Sequence, residues 1–252
     1  MSSREHEGRV AVITGGGRGF GKAFGHALAG RGAHVVQVDI EAEVGLQAAE
    51  QICAAGGSAS AIACDVANEE QVNAMIAEAV AGHGGIDIFI NNAGLHSAAY
   101  NQSVEALGIA KIQRLFDVNI MGTLLCTHAA HNAMKGRPNA SIVNISSSAA
   151  YGCQTAYGVS KLAVQGLTMM SAREYGADGI RVNAIAPGLM FTDTIRAELP
   201  KETVDVVMAQ QCLKVEGLEK DIVAAMLYLV SEGASFVTGE TLRVSGGFTL
   251  QI

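Results

Sequence analysis

Seven short runs along the chain consist almost wholly of apolar residues: V-A-V-I at 10–13, H-V-V-Q-V at 34–38, A-S-A-I-A-C at 59–64, I-D-I-F-I at 86–90, S-I-V-N-I at 141–145, I-R-V-N-A-I at 180–185 and T-L-R-V at 241–244. A strand with one wet face alternates apolar and polar residues, so runs without that alternation indicate burial on both faces. Most intervals between the runs carry apolar residues at spacings of three and four. Val72, Met75, Ile76, Ala79 and Val80 are one such helical stripe. Strands and helices in alternation predict a parallel sheet of about seven strands with helices on both faces, doubly wound as a single domain over residues 1–252.

The composition allows this. Of 252 residues, 49% are hydrophobic and only 16% charged, enough to bury a sizeable core. The net charge of −7, without any block of Lys or Arg, argues against a general nucleic-acid binder. The longest apolar run, Ile222 to Val230, is nine residues, against the roughly 20 a bilayer requires. The opening residues M-S-S-R-E-H-E-G-R contain no signal-like apolar stretch. Cys53, Cys64, Cys126, Cys153 and Cys212 are scattered without a CxxC pair, so buried, reduced thiols and a soluble cytoplasmic protein are expected. Only residues 188–216 break the alternation, and this stretch reads as a lid over a pocket.

The first run leads into T-G-G-G-R-G-F-G at 14–21. Glycines at 15, 17, 19 and 21 permit a tight turn and close backbone approach to a pyrophosphate, which the next helix N-terminus would stabilise. Asp39, ending the second strand, stands where an acidic residue binds ribose hydroxyls, or it caps the helix that follows. Later come N-N-A-G at 91–94 and Y-G-V-S-K at 157–161. The glycine turn, N-N-A-G and Y-x-x-x-K, in this order and spacing from about Val10 to Gly247, resemble the classical short-chain dehydrogenase/reductase family, whose fold is a Rossmann-type sheet.

The resemblance implies an NAD cofactor bound by Gly15, Arg18, Gly19, Phe20, Gly21 and Asp39 in the first half of the site. It adds Asp65 and Val66 at the adenine, and Asn91, Ala93 and Gly94 along the central strand. Pro187, Gly188 and Thr192 would border the nicotinamide, with Tyr157 and Lys161 serving the cofactor as well as the catalytic set. Asn119 would hold a water connected to Lys161, and a homotetramer is implied. Ser245-Gly246-Gly247 stands where the family often has Asp-Gly-Gly.

The catalytic set is Asn119, Ser147, Tyr157 and Lys161. A tyrosine hydroxyl ionises near pH 10 in water, about three units above neutrality. Lys161, one helical turn on, lies on the same face, and its charge would favour the phenolate. Tyr157 could then exchange a proton with a substrate oxygen that a serine also holds. Strand alignment selects Ser147, ten residues before Tyr157 in a loop shorter than the family's usual one; Ser146 and Ser148 remain alternatives. Tyr151 has no lysine four residues on and reads as pocket wall. His128 and His131 share a helix face without a third ligand, so no metal site is expected. His96 would border the substrate region, and nothing marks Cys153 as a nucleophile.

Cofactor choice sets two residues against each other. Arg18 could meet a 2′-phosphate, whereas Asp39 would repel it, by about 1–4 kcal/mol per unit charge at about 4 Å. NAD is therefore expected. Leu189, Met190, Phe191, Leu199, Val206, Val207 and Met208 offer apolar lid surface, with Arg196 and Lys201 as fixed positive charge. The reading is an NAD-dependent dehydrogenase for neutral, fairly hydrophobic secondary alcohols. An NADPH-dependent 3-oxoacyl or steroid-type ketoreductase is the alternative, and a non-catalytic dinucleotide sensor the alternative of another class.

Overall fold

The computed structural model describes residues 4–191 and 201–250. The elements follow in the order β1 (Val10–Thr14), α1 (Gly19–Ala29), β2 (His34–Asp39), α2 (Ala42–Ala54), β3 (Ser58–Ala63), α3 (Glu69–His83) and β4 (Ile88–Asn91). Two short helices, α4 (Ser97–Tyr100) and α5 (Val104–Leu107), precede α6 (Ile109–Phe116). A π-helical turn over Asp117–Gly122 joins α6 to α7 (Thr123–Met134). Then come β5 (Ser141–Ile145), α8 (Ala156–Tyr175), β6 (Arg181–Pro187), α9 (Lys201–Gln210), α10 (Glu219–Val230) and β7 (Thr241–Val244). The strands form one parallel seven-stranded sheet in the order β3-β2-β1-β4-β5-β6-β7.

Pleating sends successive side chains of β1 to opposite faces. Val10 and Val12 join a core with Met75, Cys126 and Met134 from α3 and α7. Ala11 and Ile13 join the other core, with Phe24 and Leu28 of α1 and Met226 and Leu229 of α10. Each large side chain removed from water here contributes roughly 1.5–3 kcal/mol. Burial on both faces holds for the inner strands, as the apolar runs predict. It fails at the two margins: β3 and β7 are only partly covered because each has a neighbour on one side alone. Local signals agree with the elements they bound. Asn68 caps α3 by accepting from Gln71 N, and Gly84 closes that helix in the left-handed conformation.

Two expectations need correction. All five cysteines are free, but only Cys64 and Cys126 are buried, while Cys53, Cys153 and Cys212 are exposed on outer turns and helix faces. Burial pushes the Cys64 thiol up to about 11. Met190 does not face the substrate region as lid surface. It is 5% exposed and packs in the core with Ile185 and Ile222, because the bridge to Gly217 turns the chain back onto the sheet. Thr192, Arg196 and Leu199 lie outside the described residues.

Candidate active site

The sheet's strand order reverses between β1 and β4. Helix α1 packs on one face, and the chain after β4 runs to α7 on the other, which opens a crevice beyond the strand ends. The two turns flanking that crevice interlock. Gly15 has φ +60°, and a Cβ there would lie 2.9 Å from Ala93 Cα, so both conformation and space require glycine. Asn92 Nδ2 donates to Thr14 O at 3.0 Å and to Gly15 O at 2.9 Å. Thr14 Oγ1 in turn accepts from the backbone N–H of Asn92 and of Ala93, both at 3.1 Å. The letters Thr14 and Asn92 belong to the motifs read from sequence, but their mutual contact is new.

Helix α1 begins after Arg18, and no side chain caps its N-terminus. A Cβ on Gly19 would meet nothing within 4 Å, so space lies open over this helix end. Uncapped N–H groups facing open space suit a phosphate. Asp39 Oδ2 accepts from Gly17 N at 3.0 Å and Oδ1 from Glu41 N at 3.1 Å, which anchors its carboxylate between the glycine turn and α2. Arg18 is not loose. Its Nη1 and Nη2 donate to Glu41 Oε1 and Oε2 at 2.6 and 3.1 Å, and this pairing holds the Glu41 carboxyl below its ordinary range. Phe20 is half-buried and Gly21 buried at the start of α1.

Asp65 accepts from Ala67 N at 3.0 Å and pairs with Arg114 at 2.8 Å; Val66 beside it is buried. Asn91 is committed to the interior. Its Nδ2 donates to Thr127 Oγ1 at 2.9 Å and Asn144 Oδ1 at 2.8 Å, and Asn144 continues to Thr168 Oγ1 at 2.9 Å. This buried ladder steadies the central strands. Pro187 ends β6, and Gly188 N donates to Val244 O at 2.9 Å.

Tyr157, Lys161, Ser147 and Asn119 converge beside the crevice. Strand β5 delivers three serines in succession, and their bonding separates them. Ser146 Oγ donates to Lys161 O at 2.8 Å and accepts from Gln165 Nε2 at 3.2 Å, so it serves the packing of α8 on β5. Ser147 lies instead beside the Tyr157 hydroxyl, whose ionisation it favours. Its Oγ accepts from Ala149 N at 3.2 Å, which leaves the hydroxyl proton available to a neighbouring oxygen. Ser148 starts a short 3-10 turn that ends at Tyr151.

Helix α8 starts at the Thr155 cap, whose Oγ1 accepts from Gly158 N at 3.3 Å. The short loop before it passes so close that a Cβ on Gly158 would lie 2.7 Å from Ala149 O. Glycine in Y-G-V-S-K is thus the counterpart of the shortened loop. Thr155 Oγ1 also donates to Asn101 Oδ1 at 2.8 Å, tying the loop to the segment after N-N-A-G. Leu95, Tyr100, Ile112 and Phe116 from that segment pack with Tyr157 around buried Leu107 and Leu115.

Lys161 is 5% exposed; its Nζ donates to Ile145 O at 2.8 Å and lies 5.9 Å from the Tyr157 ring centroid. Burial lowers the lysine's pKa to about 8. Burial raises that of Tyr157, and the Ser147 hydrogen bond opposes the rise. Asn119 sits in the π-helical turn, a distortion frequent at functional sites. Its Oδ1 accepts from Leu95 N at 2.8 Å and its Nδ2 donates to Leu95 O at 3.1 Å and Ser160 Oγ at 3.0 Å. A Cβ on Gly94 would stand 3.3 Å from both Asn119 Oδ1 and Lys161 Nζ, so N-N-A-G brings its backbone against the pair.

The remaining candidates lie elsewhere or serve other contacts. His131 Nε2 is 2.7 Å from Asp178 and its ring stacks on Tyr175 at 4.2 Å, while His128 and His96 are exposed. Tyr151 carries the Arg243 guanidinium over its ring at 5.2 Å. Among the described residues no helix is long and apolar enough to cross a membrane. Gln211, absent from the sequence reading, is buried at the end of α9 and donates to Leu213 O and Val215 O at 2.6 and 2.8 Å.

A parallel sheet with a glycine turn at its switch point and a Tyr–Lys–Ser cluster beside it defines a dinucleotide-dependent oxidoreductase scaffold. The family model described as enoyl-(acyl carrier protein) reductase matches residues 15–249, and the chain belongs to the short-chain dehydrogenase/reductase family. An uncharacterized oxidoreductase of Mycobacterium tuberculosis is 38% identical, over 96% of this chain and 97% of its own length. The subunit BbsD of (2S)-[(R)-hydroxy(phenyl)methyl]succinyl-CoA dehydrogenase from Thauera aromatica is 36% identical over 97% and 98%. The crystal structure of an oxidoreductase from Haemophilus influenza with bound NAD superposes with a TM-score of 0.91 at 27% identity, covering 98% of this chain and 97% of that one. The protein is an oxidoreductase of this family.

Proposed function

We propose that the protein is an NAD-dependent dehydrogenase that interconverts a secondary alcohol and a ketone, with Tyr157 as acid/base. The observation that carries this is buried Lys161, its Nζ held by Ile145 O beneath the Tyr157 ring, with Ser147 beside the phenol and the interlocked turns at the switch point. NAD is favoured because Asp39 is anchored at the end of β2 and Arg18 is engaged by Glu41. The NAD held by the Haemophilus structure supports the same choice.

The residues fit a dinucleotide: the uncapped end of α1 for its pyrophosphate, Asp39 for ribose hydroxyls, Asp65 and Val66 at the adenine. Gly94, Pro187, Gly188 and Thr192 would flank the nicotinamide. The bound cofactor supplies the hydride acceptor or donor. Tyr157 Oη takes the proton from the substrate hydroxyl in oxidation and returns it to the ketone oxygen in reduction. Ser147 Oγ donates to the same substrate oxygen and fixes its position. Lys161, held by Ile145 O, gives the phenolate a neighbouring positive charge when protonated, and would reach the ribose of the bound cofactor. Asn119 clamps Leu95 and α8 together, and by resemblance would hold a water that connects to Lys161.

The apolar side chains around Tyr157 favour a neutral, fairly hydrophobic substrate; the stretch 188–216, of which 192–200 lie outside the described residues, would cover it as a lid. The relative from Thauera, whose named substrate carries a hydroxy(phenyl)methyl group, is consistent with a secondary alcohol. The exposed Val159, Leu162, Met169 and Met170 of α8 support a homo-oligomer, a tetramer by resemblance, which sedimentation tests. A non-catalytic sensor would have no use for the Ser147–Tyr157–Lys161 arrangement. Following nicotinamide absorbance with a panel of secondary alcohols and NAD decides: no turnover with any of them, despite NAD binding, would favour the sensor.

A further inference from the structure

We propose that Glu41 controls cofactor choice by latching Arg18, so that the Arg18–Glu41 pair, together with Asp39, excludes a dinucleotide bearing a 2′-phosphate. The inference rests on reading the crevice as an NAD site and adds a specificity residue outside the motifs.

The geometry sets Glu41 and a phosphate in competition for one fork of Arg18. Arg18 belongs to the glycine turn, and its side chain crosses to the start of α2, where both terminal nitrogens engage both Glu41 oxygens at 2.6 and 3.1 Å. A guanidinium offers a planar fork that matches either a carboxylate or a phosphate. The fork that grips Glu41 therefore cannot at the same time grip a phosphate. Asp39, between the two, accepts from Gly17 N and from the backbone N of Glu41 itself. The ribose carboxylate thus fixes the start of the segment that carries the latch. A 2′-phosphate arriving here would meet two carboxylates, with the Arg18 guanidinium already paired.

Asp39 is consequently not the whole determinant. Removing its charge alone leaves Arg18 latched, whereas removing the Glu41 charge frees Arg18 while Asp39 still repels. Releasing Arg18 from an exposed ion pair of good geometry should change the preference about fivefold. The release should be larger in combination than the two single changes predict.

The experiment is a cycle of Glu41→Gln, Asp39→Asn, Arg18→Ala and their combinations, with kcat/KM or binding titrations for NADP and NAD. All three side chains lie at the surface end of the crevice, and thermal melts verify folding. Glu41→Gln is expected to raise the NADP/NAD ratio about fivefold, and Glu41→Gln with Asp39→Asn by more than the product of the single effects. Adding Arg18→Ala to Glu41→Gln should abolish the gain. A ratio that moves less than about twofold in Glu41→Gln would overturn the latch. So would a gain that persists without Arg18, since simple charge repulsion then explains it. If the unmodified protein binds neither dinucleotide, the NAD reading itself fails and the latch with it.

Discussion

Lys161 reaches from α8 to the end of β5, where its Nζ donates to the carbonyl oxygen of Ile145 at 2.8 Å. A charge placed here is costly, and the cost has a definite pH signature. Burial brings the lysine's pKa from 10.5 down to about 8. Between those values the unfolded chain keeps the proton that the folded chain has lost, so this group makes stability rise with pH. Below about 8 both states are protonated and the full penalty stands. Lys161→Met should therefore abolish turnover yet stabilise the protein at pH 7, by about 1–2 kcal/mol after loss of the Ile145 bond. Its advantage should shrink towards pH 10. Urea unfolding at the two pH values tests this, and a variant less stable than the parent at pH 7 would refute it.

Tyr157→Phe keeps the ring among Leu95, Tyr100, Ile112 and Phe116 and removes only the hydroxyl. Turnover should fall about 10²- to 10⁴-fold while NAD still binds. Single-turnover kinetics with a binding titration separate the two effects. Retention of most activity would exclude Tyr157 as the acid/base.

Two glycines of α8 should respond with opposite sign. At Gly158 an added Cβ would lie 2.7 Å from Ala149 O, whereas at Gly166 it would meet nothing within 4 Å. Gly158→Ala should destabilise by about 1–3 kcal/mol and lower kcat by disturbing the Ser147–Tyr157 pair. Gly166→Ala should stabilise by roughly 0.5–1 kcal/mol. Equal effects in thermal melts would mean that the short loop does not press on the helix.

Substrate preference follows from the apolar wall. Neutral aliphatic, alicyclic or aryl secondary alcohols should give higher kcat/KM than phosphorylated or carboxylate alcohols of similar size. A clear advantage for an anionic substrate in a kinetic panel would show that a charge outside the wall around Tyr157 governs selection.

The sheet was legible because period and punctuation agree: β5 and β7 match their apolar runs residue for residue. The run at 86–90 begins two residues before β4 and takes in buried Asp87, whose backbone already bonds to Val10 O and Ser141 N. Its carboxylate pairs with Arg137 and accepts from Val10 N at the strand's edge. Spacing could bring Tyr157, Lys161 and Ser147 together, since one helix and one strand end carry them. It could not separate Ser146 from Ser147, because opposite directions of adjacent side chains give the same letters. The Arg18–Glu41 pair was also hidden. It joins residues 23 positions apart through a turn whose path no periodicity reports.

The buried chain Thr127–Asn91–Asn144–Thr168 has a mechanical consequence. Thr168 stands two helical turns beyond Lys161 on one stripe of α8, so Asn144 keys the helix about its own axis. Inserting or deleting one residue between them would swing Lys161 by about 100° relative to Thr168. Only one azimuth both seats the threonine on Asn144 and delivers the ammonium beneath the phenol. The central strands thereby act as the indexing pin of the rotor that carries Tyr157 and Lys161.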